Sequence, residues 1–228
     1  MYTPSFFQAD RAASLAFAGA QGFGTVCAWD GSKPVASPLP FCVEYADDGS
    51  PRIAFHVARG NALATLADRK SRWLIAVTGS HTYVSPHWYA SPDQVPTWLY
   101  QVVHLTGAVR LMSSQELERH LEALSKNFES GLAPKPPWML NEVSAGRREM
   151  LMKAITGFVM AVDEIEGSFK LNQHKSDADH VAITNALASQ THSGAQELAR
   201  TMSGMRPHAF LNEASDIHAS ATLEGKTL

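Results

Sequence analysis

Apolar and polar positions along this chain change period several times, and each change marks a predicted element. Tyr2-Thr-Pro-Ser-Phe-Phe7 predicts an extended start, because the residue before a proline avoids the α region. Asp10 is placed to cap a helix through Ala12 and Ala18, which Gly19 or Gly22 ends. Phe23 to Trp29 then alternates as a strand and turns at Asp30-Gly31. A second strand covers Val35 to Tyr45; Pro38 and Pro40 predict that it is irregular or lies at a sheet edge. After the turn Asp47-Asp-Gly-Ser50, Arg52 to Ala58 forms a third. Three strands on short turns predict an antiparallel meander.

Asn61 is well placed to cap a helix from Ala62 to Lys70 with Leu63 and Leu66 on one face. Trp73 to Thr78 is nearly continuous in apolar residues, which predicts a strand buried on both faces. Between His81 and His104 the chain packs Tyr and Trp rings around Pro86, Pro92 and Pro96. Rings left in water contribute no burial energy, and each proline fixes φ and removes a donor. A rigid aromatic connection of this kind serves a planar ligand, a subunit interface, or packing on its own core. It runs into a long strand from Thr97 to Leu111, with Leu99, Val103, Leu105 and Val109 on one face. Trp98, Tyr100, Val102, His104 and Thr106 occupy the other, so neither face reads as plainly solvated.

Ser113-Ser-Gln-Glu116 is a capping box; Leu117, Leu121, Leu124 and Phe128 follow at helical spacing until Gly131. Pro134 to Pro137 forms a stiff connector, and Ser144 begins a second helix to Ala154. Thr156 to Ile165 predicts a strand, and modest helices follow near 178–189 and 194–203. Residues 204–228 carry few large apolar side chains and are expected to form a tail or an arm on a partner. The organisation predicted is a domain over 1–190 with helices inserted at about 113–155, then a helical or tail segment over 191–228.

Composition narrows the function. No apolar run is long enough to cross a bilayer, and the N-terminus lacks a basic region before an apolar block, so a cytoplasmic protein is expected. Cys27 and Cys42 do not make a disulfide framework and are expected as reduced, buried thiols. A net charge of −3 without a Lys/Arg run argues against contact with nucleic-acid backbone. The 10 histidines show no ligand spacing, so no metal is expected. His56, in mid-strand, reads as a hydrogen-bonded histidine rather than a ligand. Ser85, His87 and Asp93 lack a nucleophile elbow, and no Gly-rich dinucleotide loop or P-loop is present.

A flavin mononucleotide fits the residues better, since it offers a dianionic phosphate, hydroxyls and a flat ring with polar edges. Arg59 and the amides near Asn61 suit the phosphate, with Lys170 as a second cation. Ser85, Thr97 and Gln173 suit hydroxyls or ring edges, and Tyr83, Trp88, Trp98 or Tyr100 suit the ring face, although packing explains Trp98 and Tyr100 equally well.

Several motifs occur in one order: Met1-Tyr-x-Pro with Phe7 and Asp10, His56-Val-Ala-Arg-x-Asn61, Tyr83-Val-Ser-Pro-x-Trp-Tyr89, Val95-Pro-Thr-Trp-x-Tyr100 with Val103-His104, and Lys170-Leu-x-Gln173. Together they resemble the PaiB-type FMN-binding negative transcriptional regulator family over roughly residues 1–190. The resemblance implies a mainly β fold with peripheral helices: a six- or seven-stranded antiparallel Greek-key split barrel that dimerises and holds FMN at the subunit interface. It also implies a regulatory role, with direct DNA binding that the charge balance does not support. The chain departs from the family pattern at Leu99, Pro92 and His174, where Asn, Lys and Asn are usual, and at Gly60 and Ala62 around Asn61. An amide and a cation are thereby absent from the pattern. Two other activities on the same fold are a flavin-dependent NAD(P)H oxidoreductase and a non-catalytic interaction protein that has lost flavin.

Overall fold

The computed structural model describes residues 1–66 and 71–211. Local chemistry sets several boundaries. Asp10 accepts the Ala13 amide at 2.7 Å to start α1 (Arg11–Gln21), and Gly22 ends it with a left-handed φ of 57°. The capping box at Ser113 is complete: its hydroxyl accepts the Glu116 amide at 3.2 Å, and its own amide donates to the Glu116 carboxylate at 2.8 Å. It opens α2 (Ser114–Glu129), which buries Leu117 and His120. The shorter α3 (Ala145–Met152) begins after Ser144, whose side chain makes no cap bond.

Seven strands form the sheet: β1 (Gln8–Ala9), β2 (Phe23–Trp29), β3 (Pro34–Tyr45), β4 (Pro51–Ala58), β5 (Arg72–Val84), β6 (Thr97–Leu111) and β7 (Ile155–Lys170). Their order is β1-β7-β4-β3-β2-β5-β6, and β6 also pairs with β7. Six strands therefore close on themselves and the two-residue β1 adds a seventh, as a mainly antiparallel split barrel requires. Two helices complete the fold: α4 (Asp177–Ala188) and α5 (Ser193–Met205).

One expectation holds in part and four are corrected. β3 is regular and stands between β2 and β4 in the strand order, but its proline-bearing half, Pro34 to Pro40, pairs with β2 alone and leaves its other edge unpaired, as the prolines led one to expect. The Phe41 amide donates toward β2, to the Gly22 carbonyl at 2.8 Å, so odd positions of β3 turn their N–H groups that way. Pro34, Pro38 and Pro40 are all even, and their nitrogens face the other edge, where pairing with β4 starts only at Phe41. No ladder bond is lost.

β5 does not stop at Thr78 but continues to Val84, so His81 and Tyr83 belong to a strand rather than to a connection. The stretch Trp73–Thr78 is buried on one face only: Trp73, Ile75 and Val77 are buried while Leu74 and Ala76 are half-buried. The turn after Asn61 is a short 3-10 helix, Ala62–Leu66, and the rest of the expected helix, like the tail beyond 211, lies outside the described residues. Cys27 and Cys42 are free but half-buried, because alternation turns both away from the sheet's buried face; burial pushes the Cys42 thiol up to about 11.

Contacts divide the chain into two units whose boundaries fall inside β1, β5, β6 and β7. The first comprises Met1, Ala9–Val77 and Val102–Gly167; the second comprises Tyr2–Gln8, Thr78–Gln101 and residues from Ser168 onward. Phe55, Trp73 and Phe158 centre the first, with ring centroids 5.2–6.3 Å apart and at most 1% exposure. The second is built on Val84, Leu99, Leu171, Ile183, Leu187, Leu198 and Met202, all fully or almost fully buried. No helix among the described residues is long and apolar enough to cross a membrane.

Within the first unit, β6 meets β7 so closely at Gly107 that a Cβ there would lie 1.8 Å from the Ala161 carbonyl oxygen. Gly107→Ala is therefore expected to destabilise the protein by about 3 kcal/mol or more in urea unfolding. Gly146→Ala, in α3 with nothing within 4 Å of the new methyl, is expected to be neutral or slightly stabilising.

Candidate functional site

The residues named from sequence separate between the two units. Arg59 and Asn61 belong to the first; Tyr83, Ser85, Trp88, Thr97, Trp98, Tyr100, Lys170 and Gln173 belong to the second. In the first unit, the Arg59 amide donates to the Ala154 carbonyl at 2.8 Å, and its side chain lines a cavity of about 650 Å³ beside Arg148 and Lys153. The Asn61 side-chain Oδ1 accepts the Leu63 amide at 2.9 Å and the Ser37 hydroxyl at 3.2 Å, and its Nδ2 lies 2.9 Å from the same hydroxyl. Asn61 is thus engaged by its own turn.

In the second unit, the structure brings Thr97 and Lys170 together. The Lys170 ammonium donates to the Thr97 hydroxyl at 2.6 Å and stands 5.8 Å from the centre of the Phe7 ring. Both line a cavity of about 190 Å³ with Phe6, Phe7, Tyr89, Gln94, Val95, Asn172, His174 and Lys175. Lys175 repeats the arrangement: its ammonium donates to the Gln94 side-chain oxygen at 2.7 Å and lies 5.1 Å from the Tyr89 ring centre. The His174 ring packs on Phe6 at 5.0 Å and Phe7 at 5.3 Å. Burial, then Lys175 and Lys170, hold its pKa below the usual histidine value.

The cavity lining thus contains two lysines and a histidine, and no Asp or Glu. Asn172 completes it from a left-handed backbone, φ 59°; it is 1% exposed, and its side-chain amide faces the Tyr89 hydroxyl, on which it acts as a donor against the effect of burial. A buried amide beside two ammonium groups is suited to an anion.

Other sequence-named residues do different work. Ser85 caps the short 3-10 turn Pro86–Trp88 by accepting the His87 amide at 3.3 Å. Trp88 packs against the apolar core of this unit. The Gln173 side chain accepts the Leu171 amide at 2.8 Å and donates to the Phe169 carbonyl, closing the end of β7. Tyr83 and Trp98 turn outward, 44% and 53% exposed, with their rings edge-on at 6.4 Å and His81 beside Trp98 at 5.8 Å; Tyr100 is half-buried. Leu99 is fully buried in the core and does not line the cavity, whereas His174 does. Pro92 offers its carbonyl to the Gln94 amide at 3.2 Å.

The cavity wall is braced by a buried carboxylate. Asp179, 4% exposed at the start of α4, accepts the Ser91 amide at 2.8 Å and the Ser91 hydroxyl at 2.9 and 2.8 Å. Ser91 in turn accepts the Gln94 amide at 3.0 Å, so the chain Asp179–Ser91–Gln94–Lys175 is continuous. Burial alone pushes the Asp179 carboxyl up, but the Ser91 amide and hydroxyl and the Ser176 hydroxyl outweigh it and hold the group below its ordinary range. Gln94, Asn172 and Lys175 were not legible as site residues; only the place of Asn172 at the variable position of the Lys170-Leu-x-Gln173 motif, and of Lys175 just after it, hinted at them.

Comparisons with known proteins agree with this architecture. A family model described as "Putative FMN-binding domain" matches residues 1–164. The chain is 30% identical over 203 residues to the protease synthase and sporulation protein PAI 2 of Bacillus subtilis strain 168, covering 89% of this chain and 96% of that protein. The FAD and heme binding protein from Mycobacterium smegmatis superposes with a TM-score of 0.52 at 17% identity, over 72% of this chain and 73% of that one. The flavocytochrome Anf3 from Azotobacter vinelandii gives a TM-score of 0.52 at 16% identity, over 70% and 67%. At these identities the two structures share the fold.

Ser91→Ala is expected to cost about 1–3 kcal/mol at neutral pH by stripping hydroxyl bonds from Asp179. Because the folded carboxyl titrates below its unfolded value of about 3.9, this stabilisation is present above that pH and fades as pH falls through the folded pKa. Urea unfolding of both proteins across that range should show the gap closing in acid.

Proposed function

The chain belongs to the PaiB-type FMN-binding domain family, and from that premise we propose that it is a homodimeric, flavin-binding regulatory protein whose Lys170 cavity receives the anionic end of FMN. The observation that carries this reading is the pair of lysines, held over aromatic rings with no carboxylate in the cavity lining. Lys170 and Lys175 would hold the phosphate by charge-assisted hydrogen bonds, and the buried Asn172 amide would stand beside them. Thr97 and Gln94 orient the two ammonium groups. Bound flavin would supply one- and two-electron redox chemistry; the protein's part is to bind and orient it.

At about 190 Å³ the cavity falls below the roughly 300–1,000 Å³ of ordinary small-molecule pockets. That supports an enclosure completed by a second copy of the chain, for which the outward rings of Tyr83 and Trp98 offer an aromatic surface. The regulatory part rests on the relative from Bacillus subtilis, whose name speaks of protease synthesis and sporulation. A net charge of −3 favours regulation through a ligand or protein partner over a direct grip on DNA.

Purified protein titrated with FMN is expected to quench flavin fluorescence at one site per chain and to sediment as a dimer. Lys170→Ala should weaken FMN about 10- to 100-fold, as for loss of a charged hydrogen bond. Unchanged affinity in that variant would remove the cavity from the reading, and a matching loss in Arg59→Ala alone would assign the phosphate to Arg59. Oxidation of NAD(P)H by the FMN-loaded protein would make it an oxidoreductase, whereas failure to take up flavin would leave an interaction protein.

A further inference from the structure

The first unit contains a cavity of about 340 Å³ between α2 and the outer side of β3, β4 and β7, and its polar groups are conspicuously unpaired. One pair in its wall is satisfied: Arg110 grips Glu116 at 2.7 and 3.1 Å, and Glu116 also takes the Ser113 amide. The others are not. Glu44 and Arg52 are cross-strand partners in the β3–β4 register, and the charges of Arg119, projecting from α2, and of Arg52 both act on the half-buried Glu44 carboxylate. Both guanidiniums are exposed, and none of the three groups closes a direct hydrogen bond or ion pair among the described residues. His120 is 2% exposed; one ring nitrogen lies 3.1 Å from His56, while its Nδ1 has no partner.

Charge complementarity defines what fits. Two guanidiniums with open donors suit an oxyanion. An anion alone would face the Glu44 carboxylate, and an amine alone would face both arginines. A molecule that carries a carboxylate and an ammonium group on one carbon answers all three. Met112 and Val159 supply an apolar floor. We propose that this cavity is a binding site for a small amino-acid zwitterion, with the carboxylate on Arg52 and Arg119, the ammonium group on Glu44, and an aliphatic side chain toward Met112 and Val159. The unpaired His120 nitrogen then gains a polar neighbour. This site is independent of the flavin reading.

The test uses the full chain and a matched series: L-leucine, 4-methylpentanoate, which lacks the amine, and 3-methylbutylamine, which lacks the carboxylate. Calorimetric titration at millimolar concentration is read beside the imidazole NMR signals of His56 and His120. Leucine is expected to bind at least about tenfold more tightly than either analogue and to shift the His120 signals. Arg52→Ala with Arg119→Ala should weaken leucine by about tenfold or more, and Glu44→Gln should abolish its advantage over 4-methylpentanoate. All three side chains lie at or near the surface, and unchanged thermal unfolding would show the variants folded. Equal binding of leucine and 4-methylpentanoate to the wild-type protein, or binding of neither, would overturn the proposal.

Discussion

A carboxylate removed from water must have its hydrogen bonds supplied by the protein, and Asp179 imposes that demand on the second unit. Its partners are the amide and hydroxyl of Ser91, 88 residues earlier in the chain. Meeting the demand fixes a proline-bearing segment that has no regular structure of its own, and that segment carries Tyr89, Gln94 and Val95 to the cavity. The same chain of bonds then reaches Lys175 through Gln94. The wall of the site is thus an outcome of one buried charge being satisfied, more than of any local preference.

What could be read from the sequence follows how local each cause is. The capping box at Ser113 and the span of β6 were legible because their determinants lie within a few residues. The prolines of β3 signalled an unpaired edge but not an irregular strand, because their effect depends on which edge is paired, which is a property of the register. Alternation misled at Trp73–Thr78 for a related reason: Ala76 is apolar but small, and does not mark a buried face. In the site, Thr97 and Lys170 stood in recognisable motifs, whereas Gln94 and Asn172 gain their roles from partners far away or from a left-handed backbone. Asn61 and Gln173 share a further reason. Short and amide-bearing side chains compete for nearby backbone groups, and both are engaged there.

The two cavities treat charge differently. In the second unit each lysine is stabilised by a ring face and a neutral oxygen, so its positive charge is not cancelled. In the first, groups of both signs stand near one another without closing into pairs, apart from Arg110 and Glu116. Leu99 adds apolar burial to the core, while His174 sets a titratable ring against the touching pair Phe6 and Phe7.

The proline spacing of β3 has one more consequence. An open strand edge is a template on which a foreign strand can extend a sheet by backbone pairing. From Pro34 to Pro40 every nitrogen on the edge away from β2 except that of Ala36 belongs to a proline and carries no hydrogen. That edge is chemically blunted against strand addition, so self-recognition there has to rely on side chains.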